Sequence, residues 1–221
     1  MLWKWLEEFS NVDVKSILEV GCGPYGFAPF YASISDKYVG IDIDDYTNYY
    51  GDVGNASIIK YDGVHFPLRD ESIDLVVSHS VFEHVMDVRS VIEEVHRVLR
   101  VGGEAFISIN PLYYSSWGSH GTEQDNTTRL PPWDHLNPQS PNYLTDCPPQ
   151  MVQSGHKGCY INKLTMSDLL YEFGRLPFSI LRLDRIYETM ELPPFLKDAT
   201  IPESQLRNSD FRVLLRKDAM R

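Results

Sequence analysis

The chain has 221 residues, of which 43% are hydrophobic and 23% are charged, which is ordinary for one globular domain. Its formal charge at pH 7 is -11, and the sequence has no basic run. Because phosphate backbones are bound mainly by Lys and Arg, this balance argues against a nucleic acid as substrate. No apolar run reaches the roughly 18 residues of a membrane span. We therefore expect no nucleic-acid partner and no membrane partner.

The N-terminal residues and the cysteines bear on the compartment. Residues 1–9 read MLWKWLEEF, where charges interrupt the apolar stretch, so we expect a short amphipathic helix rather than a signal peptide. The default compartment is then the cytoplasm. Three cysteines form no disulfide framework. Cys147, His156 and Cys159 lack a recognised zinc spacing and a fourth ligand, so we expect no metal site.

The first half of the chain alternates short apolar runs with helical patterns, which predicts a parallel sheet covered by helices. The predicted strands are Ser16–Val20, Tyr38–Ile41, Ser57–Tyr61, Ile73–Ser78 and Glu104–Ile109. A helix is predicted over Asp87–Leu99, with Gly102-Gly103 as its stop.

Residues 111–160 are rich in Pro, Ser, Asn, Gly, Tyr and Trp and show little periodicity. Regular elements resume at Thr165-x-x-Asp168, a capping pattern that opens a helix to Phe173. Phe178–Leu183 and Phe211–Leu215 follow as a closing pair of strands. We expect one α/β domain over residues 1–221, with an irregular, lid-like insertion at about 111–160. Its doubly wound sheet should have the order 3-2-1-4-5-7-6, with only the last strand antiparallel.

A glycine-rich turn follows the first strand. Gly21, Gly23 and Gly26 form G-x-G-x-x-G, which lets the backbone approach a ligand closely. The same pattern occurs in NAD enzymes and in plain tight turns. Asp42 ends the second strand sixteen residues after Gly26, where a carboxylate can accept hydrogen bonds from both ribose hydroxyls of an adenosine.

Two further motifs distinguish between the cofactors that this glycine-rich turn can bind. Asp62-Gly63 ends the third strand, where the carboxylate can accept from an adenine amino group. The fourth strand runs into residues 78–85, SHSVFEHV. With E-x-G-C-G, G-x-D, F-P and D-L-V in the same order, the chain closely resembles class I methyltransferases of the type 11 family over about residues 16–110. The resemblance implies a Rossmann-like methyltransferase fold.

The resemblance also implies S-adenosyl-L-methionine as cofactor and S-adenosyl-L-homocysteine as product. The glycines would cradle the methionine part, and Glu19 would orient its amino group. The residues implied to hold the cofactor are Glu19, Gly21, Cys22, Gly23, Gly26, Asp42, Ile43, Asp62, Gly63, Ser78 and His79.

Three histidines are candidates for catalysis. His79 follows the central strand and should face the ligand crevice. His120 and His135 lie in the insertion, either of which could remove the proton of a hydroxyl acceptor. Glu83 and His84 could take part in catalysis or only brace the next helix. Because 15 residues precede the first strand, where such enzymes often carry a longer lid, we expect the insertion to cover the crevice.

Aromatic residues of the insertion would suit a polar, ring-shaped acceptor, or they anchor a surface lid. Their pattern is loosely similar to bacterial methyltransferases of sugar and glycan pathways. The sequence thus predicts methylation of a small molecule, with O-methylation of a sugar or glycan precursor as the working case. A catalytically silent cofactor-binding subunit and a dinucleotide-dependent oxidoreductase stay open as alternatives. The methylated atom stays open, as does the choice between monomer and homodimer.

Overall fold

The computed structural model describes residues 2–10, 12–24, 27–49, 51, 53–120, 130–141, 143, 152–154, 156–159 and 161–219. The strands are β1 (Ser16–Val20), β2 (Lys37–Asp42), β3 (Ala56–Lys60), β4 (Ile73–His79), β5 (Leu99–Ile109), β6 (Val152–Ser154), β7 (His156–Cys159), β8 (Phe178–Tyr187) and β9 (Asn208–Lys217). The α-helices are α1 (Leu2–Phe9), α2 (Ala28–Ser33), α3 (Val88–Val98), α4 (Met166–Gly174) and α5 (Glu203–Leu206). Short 3-10 turns occupy Phe82–His84, Asp134–Leu136 and Pro194–Leu196.

Seven strands form the main sheet, in the order β3-β2-β1-β4-β5-β9-β8. Strands β1 to β5 pair in parallel, and β9 is antiparallel to both of its neighbours. Strand β8 therefore runs in the same direction as β1 to β5. Strands β6 and β7 form a separate antiparallel pair. With β8 and β9 as the sixth and seventh strands of the sheet, the predicted order 3-2-1-4-5-7-6 is confirmed.

Helices cover both faces of the sheet, as the doubly wound prediction requires. Leu18 and Val20 of β1 face the core that contains α3 and α4. Ile17 faces the opposite core, where Trp5 of α1 meets Phe106 edge-to-face at 5.5 Å. The alternation follows from the pleat, which turns successive side chains to opposite faces. The carboxyl ends of the parallel strands thus form one edge between two packed helical layers.

The junction of α3 and β5 differs from the prediction. The Asp87 side chain accepts the N–H of Ser90 and caps α3, as an N-cap residue does. The helix ends at Val98, and β5 begins at the next residue and runs through Gly102-Gly103. The prediction that the glycine pair stops the helix was wrong. A Cβ at Gly103 would lie 2.9 Å from the Arg100 carbonyl oxygen, so the glycine serves close packing within an irregular strand pairing.

The described part of the insertion packs onto the connection between β8 and β9. Trp133 is buried in a small third core with Leu196 and Leu206. Its indole N–H donates to the Leu206 carbonyl at 3.0 Å. His156 and Cys159 fall on β7, whereas Cys147 lies outside the described residues. Among the described residues, no helix has the length and apolarity to cross a membrane.

Candidate functional site

The glycine-rich turn leaves β1 at the carboxyl edge of the sheet. Gly21 has φ +73° and its N–H donates to the Ile41 carbonyl at 2.8 Å. A Cβ at Gly21 would lie 2.3 Å from the Val81 side chain, so any other residue would clash with Val81. The turn therefore meets the segment that follows β4. Gly26, the third glycine of the motif, lies outside the described residues.

Asp42 links the end of β2 to the glycine-rich turn. Its Oδ2 accepts the Gly23 N–H at 2.9 Å, and its Oδ1 accepts the Asp44 N–H at 3.0 Å. A carboxylate has about four lone-pair sites, so both oxygens can accept further hydrogen bonds. Neighbouring Cys22 is buried, and burial raises the pKa of its thiol to about 12. This thiol therefore stays protonated at neutral pH.

Glu19 is buried at the base of the same turn. Its Oε2 accepts the Tyr38 hydroxyl at 2.5 Å, and the carboxylate also accepts the backbone N–H of Phe27. Burial raises the pKa of Glu19 to about 7, against the opposing effect of these hydrogen bonds. The carboxyl group ties β1 to β2 and to the residue that begins the path into α2.

Asp62 and Gly63 form the corresponding turn after β3. Asp62 accepts the backbone N–H of Val64 and of His65, and its Oδ2 lies 2.8 Å from His65 Nδ1. The hydrogen bond from the His65 ring lowers the pKa of Asp62 to about 2. A Cβ at Gly63 would lie 3.4 Å from the Ile43 side chain, which is 60% exposed. The exposed apolar side chain of Ile43, which follows β2, thus faces Gly63 in the turn after β3.

Ser78 and His79 end the central strand. The fully buried Ser78 hydroxyl donates to the Val20 carbonyl at 3.2 Å. His79 Nε2 lies 2.8 Å from the Tyr31 hydroxyl, and Nδ1 lies 3.2 Å from the Ser108 hydroxyl. Burial lowers the pKa of His79. Both ring nitrogens are engaged, so the geometry suits a residue that shapes the crevice wall better than one that moves a proton.

The two insertion histidines have different surroundings. His135 is 1% exposed, and its Nε2–H donates to the Tyr113 carbonyl at 2.7 Å. His120 is partly exposed, and its Nε2–H donates to the Pro111 carbonyl at 3.1 Å. Burial lowers the pKa of each ring to about 4, so both are neutral at pH 7. Neither ring points freely to solvent. Of the two, His120 lies nearer the carboxyl edge of the sheet, beside Pro111 after β5.

His120 lies against the pair that the sequence left undecided. The rings of His84 and His120 meet edge-to-face at 4.9 Å. Glu83 is 2% exposed, its Oε1 accepts the Asn110 N–H at 3.4 Å, and burial raises its pKa to about 8. The structure therefore gathers Glu83, His84 and His120 at the carboxyl ends of β4 and β5.

Some residues of the site were not found from the sequence. Tyr31 and Tyr38 carry no motif, and their partners His79 and Glu19 lie far along the chain. Asn162 donates from its side chain to the Phe82 and Val85 carbonyls, which fixes the turn that holds Glu83. No local pattern marks such a residue.

A pocket opens beside Leu112, the third residue after β5. It combines aromatic, cationic and amide side chains, and its lining includes Tyr114, Met166, Arg185, Tyr187, Gln205 and Asn208. Polar groups and ring faces in one concave surface are features of small-molecule sites.

The crevice residues fit an adenosyl sulfonium cofactor. The turn after β1 holds a glycine whose Cβ would clash, a carboxylate ends β2, and an apolar side chain lies over the turn after β3. In that order, they suit a ligand that approaches the backbone closely, a ribose whose hydroxyls need an acceptor, and an adenine base that packs on an apolar side chain.

The topology and this crevice define a class I, Rossmann-like methyltransferase architecture. Residues 18–107 match the sequence model of the type 11 methyltransferase domain family. An uncharacterised methyltransferase of Mycobacteroides abscessus is 29% identical over 154 residues, which are 64% of this chain and 59% of that protein. An S-adenosylmethionine-dependent methyltransferase of Mesorhizobium loti has a similar structure, with a TM-score of 0.64 at 19% identity and 97% coverage of both chains. The predicted Rossmann-like methyltransferase fold is confirmed, and residues 18–107 carry the similarity to the methyltransferase domain family.

Fold alone does not decide the reaction. The match spans less than two thirds of the length of the mycobacterial relative. The solved structure of the [4+2]-cyclase SpnF also resembles this chain, with a TM-score of 0.60 at 14% identity over 99% of this chain and 81% of that one. The site residues must therefore carry the functional argument.

Proposed function

We propose that this protein transfers a methyl group from S-adenosyl-L-methionine to a hydroxyl of a small polar acceptor, of the sugar or glycan-precursor class. The observation that carries the proposal is the cluster of Glu83, His84 and His120 beside the glycine-rich turn. Val81, whose side chain packs on Gly21, precedes Glu83 by two residues. Groups that bind or deprotonate a hydroxyl thus lie next to the place assigned to the cofactor's methionine end.

When bound, the cofactor supplies an electrophilic methyl group on a sulfonium. In this proposal Asp42 accepts the ribose hydroxyls and keeps the turn in place through Gly23. Asp62, Gly63 and Ile43 hold the adenine, and Glu19, Ser78 and His79 support the methionine end. Much of the catalysis then comes from holding the acceptor oxygen in line with the methyl group and excluding water.

The insertion contributes the acceptor side of the site. Its first residues are anchored by the Leu112 N–H, which donates to the Ser209 carbonyl at 2.9 Å. From there it reaches back to His84 through the ring of His120. Tyr113 and Trp133 are buried, so they anchor the insertion, whereas Tyr114 lines the pocket beside Leu112. We propose that this segment covers the acceptor end of the crevice.

Two measurements test the proposal. S-adenosyl-L-homocysteine should raise the unfolding temperature, and NAD(P) should not, because binding to the folded state alone stabilises it. Turnover with a panel of hydroxylated sugars should give a methyl ether. In His120→Ala, turnover should fall by about 10²–10⁴-fold, which is the range for a lost proton acceptor. The affinity for S-adenosyl-L-homocysteine should stay unchanged. A response to NAD(P) would point to an oxidoreductase, and cofactor binding without turnover on any acceptor would point to a silent subunit.

A further inference from the structure

The Glu83 carboxyl group is buried with one oxygen unsatisfied. Oε1 has the long hydrogen bond from Asn110, and Oε2 accepts from no group among the described residues. At 2% exposure, Glu83 has almost no access to water. Buried polar atoms in native proteins nearly always have a partner, so Oε2 has an unused position for a hydrogen-bond partner or a cation.

Two imidazoles complete a donor set around this oxygen. Glu83, His84 and His120 each place one ligand atom within 4.8 Å of the others. Around an ion with bonds of about 2.1 Å, neighbouring ligand atoms are about 3–4 Å apart, so small side-chain rotations would close the set. The set is local in space although His120 lies 36 residues after His84.

The surroundings also fit ligand histidines and a fixed carboxylate. Because a carbonyl can only accept, the Pro111 carbonyl takes Nε2–H of His120, which leaves the lone pair on Nδ1. Metal-bound histidines usually donate their other N–H in this way. The turn that carries Glu83 and His84 is held by Asn162, whose backbone N–H also donates to the Glu83 carbonyl at 2.8 Å.

We propose that Glu83, His84 and His120 bind a divalent first-row transition-metal ion, of the Zn²⁺ or Mn²⁺ class. Two imidazoles and one carboxylate favour such an ion over Mg²⁺, which prefers oxygen ligands alone. Three protein ligands leave coordination positions open, as in catalytic rather than structural sites. The sequence predicted no metal site. Its cysteine-containing segment lacks a zinc spacing, and the donor set of Glu83, His84 and His120 follows no known spacing either.

The ion's role rests on the proposed function. In the metal-bound protein His120 binds the ion instead of the proton. An acceptor hydroxyl bound at an open position has a lowered pKa and releases its proton to solvent. The oxygen lone pair then forms the O–CH₃ bond while the S–CH₃ bond breaks. The electron pair of the broken bond stays on sulfur, giving neutral S-adenosyl-L-homocysteine and the methyl ether.

Metal binding can be tested without turnover. Untagged full-length protein, stripped with EDTA, is titrated with Zn²⁺, Mn²⁺ and Mg²⁺ by calorimetry, and Co²⁺ is added as a visible-absorption probe. We expect one Zn²⁺ per chain, weaker Mg²⁺ binding, and a Co²⁺ spectrum with nitrogen and oxygen ligands. Glu83→Gln and His120→Ala should each lower Zn²⁺ affinity at least 10-fold, whereas His96→Gln, a histidine of α3 outside the cluster, should not. Circular dichroism checks that each variant is folded.

The outcomes separate the metal site from the proposed reaction. Stoichiometric Zn²⁺ binding that the cluster variants abolish supports the metal site, whether or not a hydroxyl acceptor is methylated. Failure to methylate any hydroxyl acceptor would count against the proposed reaction instead. Absence of Zn²⁺ and Mn²⁺ binding, or binding that folded Glu83→Gln and His120→Ala retain in full, overturns the site. If EDTA-treated protein then keeps its turnover and still needs His120, the proposed function stands with His120 as the proton acceptor.

Discussion

Two carboxyl groups connect the glycine-rich turn to the sheet, the partly buried Asp42 and the buried Glu19. Asp42 accepts the backbone N–H of Gly23 in the turn and that of Asp44 after β2. Glu19 lies beneath the turn, where burial raises its pKa to about 7. Substitutions of Asp42 should therefore report on cofactor binding, and substitutions of Glu19 should report on stability.

Replacing Asp42 should weaken cofactor binding. Asp42→Ala removes the proposed ribose acceptor and the bond to Gly23, so affinity for S-adenosyl-L-homocysteine should fall by about 1–3 kcal/mol. Asp44→Ala is the matched control, because only the backbone N–H of Asp44 meets Asp42. Calorimetry on both variants makes the comparison, and a folded Asp42→Ala with wild-type affinity would refute the ribose assignment.

Glu19 should give the free protein a pH-dependent stability. Its pKa is raised from 4.5 to about 7 on folding, so the folded state holds the proton more tightly. The stability that this proton contributes is fully present below about pH 4.5 and is lost as the pH rises to 7, by up to about 3 kcal/mol. Urea unfolding at several pH values should show a flatter profile for Glu19→Gln, while exposed Glu93→Gln keeps the wild-type slope. An unchanged slope in Glu19→Gln would mean that other groups carry the dependence.

At the residue scale, the cofactor motifs could be predicted from the sequence, but the residues that hold them in place could not. The glycines and acids of β1 to β3 lie at strand ends, where periodicity alone places them on one edge. The partners Tyr31, Tyr38 and Asn162 depend on contacts between distant segments. The juxtaposition of His84 and His120 depends on the path of an irregular loop, which has no period to read.

The strands and the helices differ in how well their sequences marked them. The buried strand β1 was predicted with its exact bounds, and β4 within one residue, because continuous apolar runs mark strands covered on both faces. Helix α2 was missed, because it has six residues and its N-cap residue Phe27 makes no side-chain cap. The capping box of α4, between Thr165 and Asp168, was correctly anticipated from their spacing.

A glycine in the insertion should be as restrictive as those of the cofactor turn. A Cβ at Gly118 would lie 1.9 Å from the Tyr113 carbonyl oxygen, and a backbone atom cannot move aside cheaply. We expect Gly118→Ala to destabilise the protein by more than about 1 kcal/mol and to disturb His120 two residues later. Gly174→Ala in the last turn of α4 meets no atom within 4 Å, so it should be neutral or stabilising by up to about 1 kcal/mol. Thermal unfolding distinguishes them, and equal effects would contradict this account.

At the scale of the whole molecule, we propose that the insertion belongs to one cooperative domain. The third core joins Trp133 of the insertion to Leu196 and Leu206 between β8 and β9. Those residues lead into β9, whose apolar side chains are fully buried in the main sheet. The insertion should therefore unfold with the sheet rather than before it.

Trp133→Ala tests this coupling. The change removes a ring that is 1% exposed and its hydrogen bond to the Leu206 carbonyl, so it should cost about 3–5 kcal/mol. If the insertion is part of the domain, calorimetry will show one unfolding transition displaced to lower temperature. Combined with Leu206→Ala, which alters the same core, the effects should be non-additive by about 0.5–3 kcal/mol. Combined with Leu169→Ala, in the core of α3 and α4, they should add. A separate low-temperature step in Trp133→Ala, with the main transition unmoved, would instead define the insertion as an independently opening flap over a sheet that is stable without it.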